Sequence, residues 1–230
     1  VITGAALCAG PPLLAPELSG ADPAAAELRA ASRRAVAELV ASAPELIAVV
    51  GTAERGTTWP PSARLDLGRF GGPRTVSPSA SPASLAPLSV GLGAMLLDDV
   101  GYAGPRLLRS VGAEDGRPAC QAIGVELAGA VDRVGLLVVA DGSARRTLKA
   151  PGYFDERAES YDDAVRRAVA SGDLTALAGL DPALARELMA PGWPALQVLA
   201  AAFGSVRPQS TVHYAQAPHG VGYLVATLFP

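Results

Sequence analysis

Val134-Gly135-Leu136-Leu137-Val138-Val139-Ala140 is an unbroken apolar run that stops at Asp141-Gly142. Seven residues are too few for a membrane span, which takes about 20. The absence of any polar alternation argues against a strand with one wet face. A short continuous run of this kind is what a strand buried on both faces looks like. Val1–Leu7, closed by Gly10-Pro11-Pro12, has the same character, as does Leu46–Val50, ended by Gly51, and a further strand is expected near Leu107–Val111.

Helical periodicity fills the gaps between these runs. Asp22-Pro23 supplies an N-cap followed by proline at the first helical position. Leu28, Ala35, Val36, Leu39 and Val40 then recur on one face until Pro44. Further helices are expected over Leu88–Val100, Arg117–Val131, a segment capped by Asp155 and stopped by Gly172, a segment opened by Asp181-Pro182, and Pro194–Phe203. Two final strands, Ser210–Tyr214 and Val221–Leu228, flank the turn Ala215–Gly220 and make a hairpin. Strands alternating with helices predict one α/β domain over residues 1–230, with a central mixed sheet covered by helices on both faces. The proline-, glycine- and serine-rich stretch 52–87, with Ser77-Pro78-Ser79-Ala80-Ser81-Pro82 inside it, reads as a long irregular excursion over the edge or mouth of the sheet.

Composition narrows the chemistry. The 230 residues are 50% hydrophobic and 18% charged, which excludes global disorder. Roughly a fifth are alanine and Lys149 is the single lysine, a skew that fits GC-rich codon usage. A net charge of −3, with no basic block, makes nucleic acid an unsuitable partner. The first residues lack the basic and apolar regions of a signal peptide, so a cytoplasmic location is expected. Cys8 and Cys120 are too few for a disulfide framework or a cysteine-rich zinc site and read as inert core thiols. Histidine is scarcer still as a functional group, because His213 and His219 are the only two.

Ligands of open α/β sheets bind beyond the carboxyl ends of the strands. That leaves four loops: Cys8–Pro16, Gly51–Trp59, Asp141–Lys149 and Ala215–Gly220. In the third, Ser143, Arg145, Arg146 and Lys149 have the groups to hold a carboxylate or phosphate, and Gly142 admits close backbone approach. The bland reading pairs Asp141 with an arginine and leaves the rest solvated. His219 lies in a turn at a candidate site mouth, whereas His213 reads as a packed or edge residue. Glu17 and Glu54 are carboxylates beside two of the loops, and Trp59 follows the second. No G-x-S-x-G elbow and no phosphate-binding G-x-x-x-x-G-K-[ST] occurs.

Four segments, in order, resemble the class III extradiol ring-cleavage dioxygenase family and its Memo relatives. Gly10-Pro11-Pro12-Leu13-Leu14-Ala15-Pro16-Glu17 is similar to a His-Pro-Pro-x-Leu-x-x-Pro-Glu turn. Asp141-Gly142-Ser143-Ala144-Arg145 is similar to an Asp-x-Ser-His-Arg loop. Pro151–Asp163 and Tyr214–Ala226 resemble the segments that follow. Alanine-rich actinobacterial members without the metal-binding histidines are the nearest in pattern. The resemblance implies the fold, and for active members a ferrous ion held by two histidines and a glutamate, with another histidine as acid and base. Here the first ligand position is Gly10 and the acid–base position is Ala144, while 51–59 holds no histidine. Neither glycine nor alanine binds iron or moves a proton.

The expectation is therefore a non-catalytic member of this fold, a pseudoenzyme with no cofactor. It would keep a pocket for a small anionic molecule or a protein partner, bound through Ser143, Arg145 and Arg146 with His219 and Glu17 nearby. The alternative is a diverged metal-dependent oxygenase or hydrolase, with iron or another metal on ligands recruited from His213, His219, Glu17 or Asp141. No membrane partner is expected, and a homodimer is compatible with the self-association of related folds.

Overall fold

The computed structural model describes residues 1–75, 81 and 84–230. Among the described residues, seven strands form one sheet in the order β3-β4-β2-β5-β1-β7-β6. β1 (Ile2–Cys8), β2 (Leu46–Ala53), β4 (Arg106–Gly112) and β5 (Val134–Val139) are its parallel centre. β3 (Thr57–Trp59) runs antiparallel to β4 at one edge. The hairpin of β6 (Gln209–Gln216) and β7 (Tyr223–Phe229) joins the other side, with β7 antiparallel to β1. The α/β class and the mixed sheet are as the sequence predicts.

Each central strand divides its side chains between two cores. Leu136 and Val138 of β5, Ala5 and Leu7 of β1, and Ala48 and Val50 of β2 face one side. Leu137, Ala6, Cys8, Ile47 and Val49 face the other. The period of two is thus present but hidden from a hydropathy reading, because both faces are dry. The second face is covered by α2 (Pro23–Ala41) and α3 (Leu88–Asp99). The first is covered by α4 (Arg117–Ala128), α5 (Arg157–Ala170), α6 (Leu174–Ala178) and α8 (Trp193–Phe203). Short helices α1 (Pro16–Ser19) and α7 (Pro182–Glu187) complete the described set.

The caps behave as their residue types dictate. Asp22 accepts a hydrogen bond from the Ala24 amide at 3.0 Å and Asp181 one from the Ala183 amide at 2.8 Å. Asp155 accepts from the Arg157 amide at 3.0 Å, but the N-cap of α5 is Glu156, one residue later than expected. One correction concerns the stretch 52–87. It is not wholly irregular, since Thr57–Trp59 adds the edge strand β3, anchored when Ser110 Oγ accepts from the Thr57 amide and Trp59 Nε1, both at 3.1 Å. A three-residue strand of threonines and tryptophan amid glycine and proline carries no periodic signal. The Ser-Pro tract lies, apart from Ser81, outside the described residues. Among the described residues no helix is long and apolar enough to cross a membrane.

Candidate functional site

β1 delivers its chain toward α2 on one face and β5 delivers its chain toward α5 on the other, so the sheet opens a crevice where the two strands end. A cleft of about 940 Å³ lies there. Its floor is Gly10-Pro11-Pro12 and Asp141, and Ala144 and Tyr223 flank them. The far wall comes from the start of α4 and the α7–α8 junction, with Arg117, Met189 and Trp193. A smaller cavity of about 260 Å³ on the α5 side shares Asp141 and Tyr223 with it.

Asp141 is the central charged group. Its Oδ1 accepts the Gly10 amide at 2.7 Å, which ties the end of β5 to the end of β1. Burial pushes its carboxyl up to about 6, against the opposing pull of that amide. Tyr223 is buried beside it, and burial together with the Asp141 charge raises its phenol. A side chain at position 10 would meet Val139 Cγ1 at 2.7 Å, so the close β1–β5 contact itself calls for glycine.

Ser143 and Arg146 are committed elsewhere. The Ser143 amide and Oγ both donate to Asp162, at 2.8 and 2.7 Å. Arg146 bridges Asp162 at 3.2 Å and Glu159 at 2.9 Å. Burial raises the Asp162 carboxyl in spite of these donors. Gly142 and Gly222 leave room for it, since a Cβ on Gly142 would stand 2.6 Å from its Oδ1. This loop is therefore a brace between β5, β7 and α5. Its carboxylate partner is Asp162, not Asp141, which corrects the pairing expected from the sequence.

The remaining candidates disperse. Arg145 is half-buried, its Nε lacks a hydrogen-bond partner among the described residues, and its charge adds to that of Arg157 in holding Asp155 at about 2. His219 Nε2 sits 2.9 Å from Asp22 Oδ2, joining the hairpin turn to the cap of α2. The His213 side chain is buried against Thr227 at 3.1 Å and Glu38 at 3.3 Å. Glu17 is exposed on α1, outside the cleft lining. Cys8 and Cys120 are buried, with thiols raised by burial to about 12 and about 11. Arg117, Met189 and Trp193 were not among the sequence candidates, because nothing local marks a helix start and a helix junction as two walls of one cavity.

The donor set does not fit a two-histidine–carboxylate iron site. At the cleft floor the side chain able to bind a metal is Asp141, and both histidines are paired with other groups. Among the described residues no three His, Cys, Asp or Glu side chains converge as ligands.

No protein-family profile and no curated protein sequence matches this chain. Among solved structures it is similar to an uncharacterized protein, JW3007, from Escherichia coli K12. The two share 13% identity and a TM-score of 0.57, over 99% of this chain and 100% of that one. A likeness at this identity shows the fold.

Proposed function

We propose that the protein is a metal-free member of the extradiol dioxygenase-like fold that binds a small organic molecule in the cleft between β1 and β5. One observation carries the reading. Gly10 and Ala144, where the resemblance calls for a metal ligand and an acid–base histidine, line one and the same cleft, and neither has a side chain able to do either task. The cleft itself remains large enough for an organic molecule, and its lining is mostly proline, alanine, methionine and aromatic. Commitment of Ser143 and Arg146 to Asp162 argues against an anion seated on the arginine loop.

Anaerobic loading with ferrous iron, gel filtration, elemental analysis and oxygen uptake with catechols test the reading. The expected outcome is no stoichiometric iron and no uptake, together with quenching of Trp193 fluorescence by small aromatic compounds. One iron per chain with oxygen consumption would overturn it. Iron lost in His219→Ala would favour the metal-dependent alternative.

A further inference from the structure

The floor of the cleft has one carboxyl group, and its binding capacity is half used. Asp141 spends Oδ1 on the Gly10 amide, and its Oδ2 makes no hydrogen bond within the described structure while the residue lines the cavity. The other charged groups of the lining are partly engaged, and its three carboxylates, Glu114, Asp115 and Asp141, outnumber its two guanidiniums, Arg117 and Arg186. Among the described residues, Asp115 Oδ2 accepts the Gly112 amide at 2.8 Å and its Oδ1 accepts none, Arg117 Nη2 donates to the Leu180 carbonyl at 3.1 Å while its Nε has no partner, and Arg186 faces Glu114 at 3.6 Å. From α5, Asp162 is held by Ser143 and Arg146. Two aromatic rings, Tyr223 beside Asp141 and Trp193 on the wall, line the same space, and their nitrogen and oxygen ends do not add a positive charge. Trp193 Nε1 is itself spent on the Leu180 carbonyl at 3.0 Å. An anionic carboxylate oxygen among aromatic and aliphatic walls selects for positive charge, because a cation gains both the ion pair and the ring faces.

We infer that the ligand is an organic cation, a protonated amine on an apolar body, with the amine on Asp141 Oδ2 and the body along Trp193 and Tyr223. The inference rests on the cleft reading above and names its ligand class. It departs from the anionic molecule that the arginine loop suggests from sequence. Asp141 would be a binding residue, and Gly10 would position it through the amide it donates.

Three probes of equal ring size and different charge make the test: benzylamine, benzyl alcohol and benzoate. Each is titrated calorimetrically at pH 7.5 into the full chain and into Asp141→Asn, which keeps an acceptor for the Gly10 amide. Benzylamine is expected to bind the unsubstituted protein about tenfold more tightly than either of the others, the ratio a charge-assisted hydrogen bond supplies. In Asp141→Asn that advantage disappears and benzylamine binds like the alcohol. Benzoate or the alcohol binding as tightly as the amine would overturn the amine assignment and leave the cleft reading standing. An amine preference that survives in Asp141→Asn would overturn Asp141 as the group that holds the amine. If none of the three binds the unsubstituted protein, the amine assignment and the cleft reading fall together.

Discussion

A single carboxyl group shows how much of this molecule is decided at the residue scale. Asp141 has an ordinary pKa of 3.8 in the unfolded chain and about 6 when folded, because burial disfavours its charge. Between those values the folded protein holds a proton that the unfolded chain has lost, so this group's contribution to stability falls as pH rises through that window. At pH 7.5 it is ionised in both states, and its burial costs at most about 3 kcal/mol. Asp141→Asn removes the charge and keeps the acceptor for Gly10. It is expected to raise unfolding free energy by about 1–2 kcal/mol at pH 7.5 and by almost nothing near pH 4, measured by urea denaturation. A loss of stability at pH 7.5 would contradict the desolvation argument. The arginine loop gives the opposite sign. Arg146→Ala leaves Asp162 buried with one charged partner fewer and is expected to cost about 1–3 kcal/mol in the same assay, against less for Arg145→Ala. Neither difference was legible in the sequence. Asp141 and Asp162 each stand four residues before an arginine, Arg145 and Arg166, and only the fold shows that Gly142 and Gly222 open a space for Asp162 while Gly10 donates to Asp141.

At the scale of elements the sequence was far more informative, for reasons that differ between helices and strands. Asp22-Pro23 and Asp181-Pro182 announce helix starts by chemistry confined to a few residues, and their side chains accept the expected amides. β5 is visible because both its faces are buried and its seven-residue apolar run has no competitor reading of adequate length. β3 and α6 escaped because each is too short to display a period, and each depends on a partner far along the chain or on a single cap. How the helices pack is equally hidden. Gly124 in α4 looks like a helix-weakening residue, yet a Cβ there would meet the Val198 carbonyl oxygen at 2.6 Å and the Ala202 amide nitrogen at 2.9 Å in α8. Backbone cannot rotate aside as a side chain can. Gly124→Ala is therefore expected to destabilise by about 1–3 kcal/mol in spite of alanine's better helix propensity, seen as a lower melting temperature. An unchanged or higher melting temperature would mean that α4 and α8 can move apart freely.

Across the whole molecule, a graded sheet explains both where stability resides and where a site can form. Four parallel strands with helices on both faces make the centre, and antiparallel strands close each side. The cleft needs that arrangement entire, since Gly10, Arg117, Asp141, Trp193 and Tyr223 meet only after β1, β5, α4, α8 and β7 are in place. No window of sequence contains such a site, although its floor was legible once the ends of β1 and β5 had been recognised as the place to look. The same grading has a kinetic consequence. Amides of β5 lie between β1 and β2, with every residue of the strand buried, and can reach water only when the core opens. β3 pairs on one side only and has two exposed residues of its three, and β6 is likewise an edge with exposed positions along it. Native-state hydrogen exchange should accordingly give β5 opening free energies equal to global unfolding, and β3 values several kcal/mol lower, with the outer amides of β6 also low. Increasing urea should leave the β3 amides unaffected until global unfolding overtakes them, while β5 responds from the first addition. A β5 that exchanges as fast as β3 would mean that the two faces of the sheet separate without unfolding, and a cleft built where β1 and β5 end could not then be a rigid site.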